Sequence, residues 1–286
     1  IFLFLIKKRK QIQIVNTHLL AGFHIAFIYR FFKNINFFHT VHNQAIKELG
    51  ANLYSFHHKV RAFYYRNINV ISISESVKKS VDDLYNIKSK LILNGAVFEK
   101  NLKKNINTKI KAFNLLAVGN TRKEKNFQLL IDAFNNLKKN YDIKLTILGA
   151  LVEGFQFVDV KEYEKNSIFF KGSVNNVQDY MKNSSFLCMP SIHEGMPITL
   201  LEAKANSLIP VVTPAPGIIE LVTNNEDGFI ANDMTQQSYE LALKEALECD
   251  ESTLSMMKKK AVEDYNNLYS MTICERNYFE YYKNPI

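Results

Sequence analysis

Tryptophan is absent from this chain, and cysteine, proline and glycine are sparse. The three cysteines, Cys188, Cys249 and Cys274, stand far apart, with no Cys-x-x-Cys or Cys/His spacing. That excludes a disulfide framework and a structural zinc finger, and an odd count fits a reducing cytoplasm. Few glycines and prolines exclude collagen-like and low-complexity classes. No apolar run approaches the roughly 18 residues a spanning helix needs. The opening IFLFLI is followed, not preceded, by the cluster KKRK, and no small-residue cleavage site comes after it, so it does not read as a signal peptide. With no initiator Met, the chain is expected to begin inside a domain. No Gly-x-Gly-x-x-Gly follows a strand pattern, which disfavours a dinucleotide oxidoreductase. No histidine spacing suggests a metal site.

What is present is a 286-residue chain, 47% hydrophobic, with room for two domains. The formal charge of +8 is uneven. Residues 1–100 hold 15 Lys and Arg against 5 Asp and Glu, and the remainder is slightly acidic. The basic residues mix with aromatics, as in Tyr29-Arg30-Phe31-Phe32-Lys33 and Arg61 to Arg66. This mixture suits an anionic membrane surface, or equally a solvated basic face over core aromatics. No recognition motif for nucleic acid accompanies it.

Short β-rich runs alternate with helical patterns, which predicts parallel α/β sheets. In the first part, strands are expected at 11–17, 36–41, 69–74 and 91–93, with helices at 19–32 and 75–85. Residues 1–99 form the first domain and the charged, aperiodic 100–111 the linker. The second domain, 112–268, is expected to be doubly wound. Its strands fall at 113–118, 143–148, 168–170, 186–189, 209–213 and 228–231, with helices at 125–139 and 197–206 and a short one opening at Gly217. A helix over 269–286 ends the chain and could cross back to the first domain.

The most informative segment is PSIHEGMPITLLEA, Pro190 to Ala203. A strand ends, a tight loop carries Glu194 and Gly195, and a helix starts near Pro197. The amides of Gly195, Met196, Ile198 and Thr199 would face outward at a helix N-terminus, which attracts phosphate. Glu202 follows Glu194 by eight positions; read as continuous helix, that spacing is about 12 Å. Two carboxylates so placed could grip both ends of a sugar–diphosphate–ribose. Spacing alone fits an ordinary surface helix as well.

The segment resembles the E-x7-E motif of the retaining family 4 glycosyltransferases. The resemblance implies that Glu194 contacts the donor sugar, that Glu202 holds the ribose, and that the turn Gly195, Met196, Pro197, Ile198 and Thr199 binds the diphosphate. Upstream, Gly119 ends a strand, and Lys125 stands where the family has a pyrophosphate-binding lysine. Asn120 replaces the family's usual arginine, and Arg122 is the substitute cation, with Lys123 competing. Phe170 to Val174 resembles the segment beside the base, which puts Val174 near the nucleotide. His42, in Thr40-Val41-His42, resembles a histidine near the donor sugar, and His18 a weaker counterpart. Asn94-Gly95 resembles the family's hinge. Ala215-Pro216-Gly217 with Glu220 matches loosely, where turn-forming scaffold is explanation enough.

The fold so implied is α/β and GT-B-like: two Rossmann-like domains with parallel sheets facing a cleft, the first incomplete because the family's usual first strand and glycine-rich loop are missing. The implied activity is transfer of a hexose-type sugar from a nucleotide-sugar, expected to be a UDP-sugar, to a surface polysaccharide (lipopolysaccharide or capsule) or a lipid-linked glycan, in a bacterium. No Asp-x-Asp occurs, so no metal or other cofactor is expected, and the leaving diphosphate would be stabilised by the helix terminus, Lys125 and Arg122. The expected location is cytoplasmic, at the inner face of the membrane. A truncated, inactive nucleotide-sugar-binding remnant and a UDP-sugar epimerase of the same fold remain open.

Overall fold

The computed structural model describes residues 2–19, 21, 27–49, 56–98, 112–152 and 160–285. The chain divides into two compact units: Ile1–Gly95 with Met271–Ile286, and Ala96–Ser270. The linker expected over 100–111 lies outside the described residues, as do residues 20 and 22–26 of the helix expected over 19–32. Of the latter, Tyr29–Phe31 is a 3₁₀ turn.

The first unit opens with helix α1 (Phe2–Lys8) and strand β1 (Ile14–His18). The strand starts three residues later than expected, because the amides of Gln11 and Ile12 turn back to the Lys8 carbonyl. There follow β2 (Asn36–Val41), α2 (Ala45–Leu49), α3 (Phe56–Tyr65), β3 (Asn69–Ser72), α4 (Glu75–Tyr85) and β4 (Lys90–Leu91). β3 stops short of Ser74 because that side chain caps α4, accepting from the Val77 amide at 3.3 Å. The strands pair in parallel in the order β1-β2-β3-β4. Helix α11 (Met271–Lys283), last in the chain, supplies part of this unit's core. Tyr281 and Tyr282 meet Phe38 edge-on at 5.5 and 4.7 Å, and Tyr282 Oη accepts from Asn16 at 2.8 Å.

The basic, aromatic first third is not one solvated face. Arg61 is buried, as are Tyr64 and Tyr65. Arg30 instead lies over the Phe63 ring at 4.7 Å, and Phe31 is 74% exposed.

The second unit carries β5 (Phe113–Val118), α5 (Phe127–Leu137), β6 (Ile143–Leu148), α6 (Val160–Lys165), β7 (Ile168–Gly172), α7 (Val177–Lys182), β8 (Phe186–Met189), α8 (Ile198–Ala205), β9 (Ile209–Val212), β10 (Phe229–Ile230), α9 (Gln236–Glu248) and α10 (Glu251–Asp264). Its six strands are parallel in the order β10-β9-β8-β5-β6-β7. Their near-continuous apolar runs reflect cover on both faces: β8 and β9 are buried throughout. α5 lays Phe127, Leu130, Ile131, Phe134 and Leu137 into the core. Thr235 and Asp250 cap α9 and α10.

Two local expectations are corrected. Asn126 takes a left-handed φ of 52° and separates a 3₁₀ turn, Lys123–Lys125, from α5, so Lys125 precedes the helix. Residues after Pro216 form a turn, not a helix, since Gly217 sits at φ 79°. A π-helical turn, Tyr265–Tyr269, was not anticipated.

Candidate functional site

The strand order of the second sheet reverses at β5. The chain proceeds outward through β6 and β7, then returns to the other side of β5 with β8 and continues to β9 and β10. The loops after β5 and β8 therefore diverge at their carboxyl ends, where open α/β sheets bind ligands. Lys125 lies in the first loop region and Glu194 in the second.

Backbone hydrogen bonds lace these loops together. Ile192 N donates to the Glu124 carbonyl at 2.8 Å, and Glu194 N to that of Pro216 at 3.3 Å. Thr213 Oγ1 donates to the Ser191 carbonyl at 2.5 Å. Two glycines make the approach possible. A Cβ on Gly149 (φ 136°) would stand 2.0 Å from the Gly119 carbonyl oxygen. One on Gly217 would stand 2.4 Å from that of Glu194. Positive φ removes the alternative of an L-residue at either position.

On this frame Lys125 Nζ donates to Glu194 Oε1 at 2.7 Å, and Ser191 Oγ to the same oxygen at 2.8 Å. Both charged side chains are only partly exposed, 25% and 14%. The lysine stem runs beside Gly119, whose added Cβ would meet Cε at 3.0 Å. Asn120 has a different job from a cation: its Oδ1 accepts from the Ala150 amide at 3.0 Å and so braces the loop after β6. Arg122 and Lys123 are exposed.

Glu194, Gly195 and Met196 precede α8, and Pro197 is its N-cap with extended backbone (ψ 115°). Proline has no side-chain oxygen, and no side chain caps this end. The amides of Ile198 and Thr199 open the helix, and its dipole is positive here. Since the helix starts only at Ile198, the Glu194–Glu202 separation is not eight helical rises, as the spacing had suggested. Glu202 is partly buried, and burial raises its carboxyl above the ordinary value. Val174 is half-buried in the loop after β7, two strands from β5.

Sequence reasoning missed Lys204. It is fully buried two residues after Glu202, ion-paired to Asp227 and 3.7 Å from Asp264. The signal was a lysine between two alanines in a mostly apolar helix, Ile198–Ala205.

His42 belongs to the other unit. It follows β2, and its Nε2 hydrogen-bonds His18 Nδ1 at 2.8 Å. Neighbouring β1 and β2 bring the two together, as Thr17 pairs with His39 and His18 with Thr40. Burial, then His18, lowers the His42 pKa to about 4. His39, 1% exposed, is lowered to about 3, mainly by burial and then by Arg61; its Nδ1 bonds Thr17 Oγ1 at 2.8 Å. Between these values and the ordinary 6.5, the unfolded chain binds more protons than the fold. Stability is thus intact above about pH 6.5 and lost toward pH 4, by up to about 1.4 kcal/mol per pH unit at His39 and by less at the more solvent-screened His42. Urea titrations at pH 7 and 5 should show this loss, and His39→Gln should reduce it. A flat profile would contradict the burial argument.

Among the described residues, no group of three or more His, Cys, Asp or Glu could hold a metal ion, and no helix is long and apolar enough to cross a membrane.

Fold and site together define a parallel α/β protein of two units, whose second sheet presents a lysine, a glutamate and an open helix N-terminus at its switch point. The family model described as "Glycosyl transferases group 1" matches residues 97–264, and the chain belongs to that family. The capsular polysaccharide biosynthesis glycosyltransferase CapH of Staphylococcus aureus is 30% identical over 226 residues, 71% of this chain and 59% of that protein. A Campylobacter jejuni enzyme, N-acetylgalactosamine-N,N'-diacetylbacillosaminyl-diphospho-undecaprenol 4-alpha-N-acetylgalactosaminyltransferase, is 33% identical over 150 residues, 51% of this chain and 40% of that one. Anabaena Alr3699/HepE, solved with UDP and glucose, superposes with TM-score 0.80 at 17% identity, covering 99% of this chain and 81% of its own. This supports the GT-B-like fold. The chain spans about half the length of the first curated relatives it matches.

Proposed function

We propose that this chain serves a retaining, family 4-like transfer of a sugar from a UDP-sugar to a polysaccharide or lipid-linked acceptor, without a divalent ion. The observation that carries the reading is the Lys125–Glu194 pair beside the uncapped start of α8, at the switch point of the second sheet. In this reading Lys125 and the amides of Ile198 and Thr199 take the diphosphate, with Arg122 reaching it from the loop. Glu202 accepts from the ribose hydroxyls, Glu194 attends the donor sugar, and Val174 lies by the base. Charge building on the departing diphosphate meets a lysine and a helix dipole already in place, so little reorganisation is needed. The leaving phosphate then assists the acceptor on the same face, which keeps the anomeric configuration.

The two relatives favour a glycan acceptor: one is named for acting on a diphospho-undecaprenol-linked sugar and the other for capsule synthesis. Exposed Leu3 and Phe4, with Lys7 and Lys8 ending the same helix, suit an anionic membrane surface at the cytoplasmic face. The test is transfer in EDTA, with UDP-sugars offered to undecaprenol-diphosphate-linked acceptors and the product anomer read by NMR. A product of unchanged configuration is expected. Failure of the chain to bind UDP in calorimetry would sink the reading.

A further inference from the structure

α8 is a short helix with a difficult task. Under the proposed function, on which this inference rests, it must present Glu202 to the ribose and its first amides to the diphosphate. Its start has no side-chain cap. Its buried apolar residues, Leu200, Leu201, Ala203 and Ala205, fix its depth. Apolar packing is not directional, however, and by itself selects rotation and axial register weakly.

Lys204 supplies a direction. It lies two residues beyond Glu202, about 200° around the helix, and therefore projects from the opposite side. Its side chain is 0% exposed. Nζ pairs with Asp227, 2% exposed, and approaches Asp264 at 3.7 Å. Each anchor is itself held. Asp227 Oδ1 accepts from the Thr223 amide at 2.7 Å, just before β10. Asp264 pairs with Lys260 at the end of α10. The ammonium also lies 5.9 Å from the Tyr269 ring centroid, in the π-helical turn. That turn is tied back to the unit's start, because the Ala96 amide donates to the Tyr269 carbonyl at 2.9 Å and Tyr265 Oη to the Ala96 carbonyl at 2.8 Å. One cation thus binds α8 to two separate elements on its far side.

A buried ion pair is a poor way to gain stability, since desolvation offsets the attraction. Its attested use is to fix one register. We propose that Lys204 is a positioning residue: through Asp227 and Asp264 it sets the rotation and register of α8, and so the placement of Glu202 against the nucleotide ribose.

The test separates positioning from simple stability. Lys204→Met alone strands Asp227 and should lower the thermal midpoint by about 10 °C. Adding Asp227→Asn removes the orphan charge, while Asp264 keeps Lys260, and should recover most of that loss. UDP and 2′,3′-dideoxy-UDP are then compared by calorimetry. The wild-type chain should prefer UDP at least tenfold, as expected for hydroxyls bonded to a carboxylate. The recovered double variant should lose most of that preference, as Glu202→Gln does. A double variant with recovered midpoint and wild-type preference would overturn the proposal. If the double variant does not fold, Asp264→Asn replaces it: about a threefold loss of preference is expected, and no change overturns the idea. A second reading needs no nucleotide. In an NMR titration, the raised Glu202 pKa should fall toward its ordinary value in the variant; an unmoved pKa counts against the proposal. If the wild-type chain does not bind UDP, the functional reading fails, and the Glu202 titration decides this inference alone.

Discussion

Replacing Lys125 by methionine is expected to weaken UDP binding roughly 10- to 100-fold, the worth of one or two charge-assisted hydrogen bonds to a diphosphate. Glu194→Gln should move the other way. In the structure Glu194 already holds the Lys125 ammonium at 2.7 Å, so a diphosphate must compete with a carboxylate for it. Removing that charge frees the lysine, and UDP binding should strengthen a few-fold. The same variant should lose sugar transfer by about 100-fold or more, because under the proposed function an acceptor of the donor hydroxyls has gone. Calorimetry with UDP and a transfer assay, run on both variants, read these opposite signs. Equal loss of UDP binding in both would show that the pair acts only as a scaffold.

A stability effect as large as that of Lys204→Met is expected at Gly149. An alanine there must adopt φ 136° with its Cβ 2.0 Å from the Gly119 carbonyl oxygen and 2.9 Å from the Asn120 nitrogen. All the atoms it meets are backbone, in a loop fixed by the Gly119 amide to the Leu148 carbonyl at 2.8 Å. No rotamer change relieves the clash, so β5 and β6 must part or their loops reorganise. A cost of about 3 kcal/mol or more is expected, seen as a thermal midpoint lower by about 10 °C. Gly172→Ala is the control. Its φ is also positive, at 67°, but an added Cβ meets nothing within 4 Å. That change should cost only the conformational strain, about 1 kcal/mol. Similar losses at both sites would refute the packing argument.

Strands buried on both faces were the most legible elements. β2, β5 and β8 occupy the ranges their apolar runs imply, because near-continuous hydrophobic stretches of that length have few other uses in a parallel sheet, and β6 does so although Lys144 is exposed and Thr146 half-buried. Element ends were less legible where a side chain or a left-handed residue intervened. Ser74 stopped a strand by capping a helix, and Asn126 delayed one. Of the site, the lysine, both glutamates and the glycines that frame them could be picked out along the chain. Their mutual geometry could not, because Lys125 and Glu194 are 69 positions apart.

The amino-acid sequence by itself determined the parallel α/β class, the two-unit size and the helix start beside Pro197, since each follows from local periodicity and backbone chemistry. The tertiary structure alone decided that Asn120 braces a loop, that Arg61 is buried, that His42 meets His18, and that Lys204 is an internal cation held by Asp227. Each of these depends on which distant segment closes over a side chain. Burial and partnership, unlike propensity, are not properties of a residue and its neighbours in the chain.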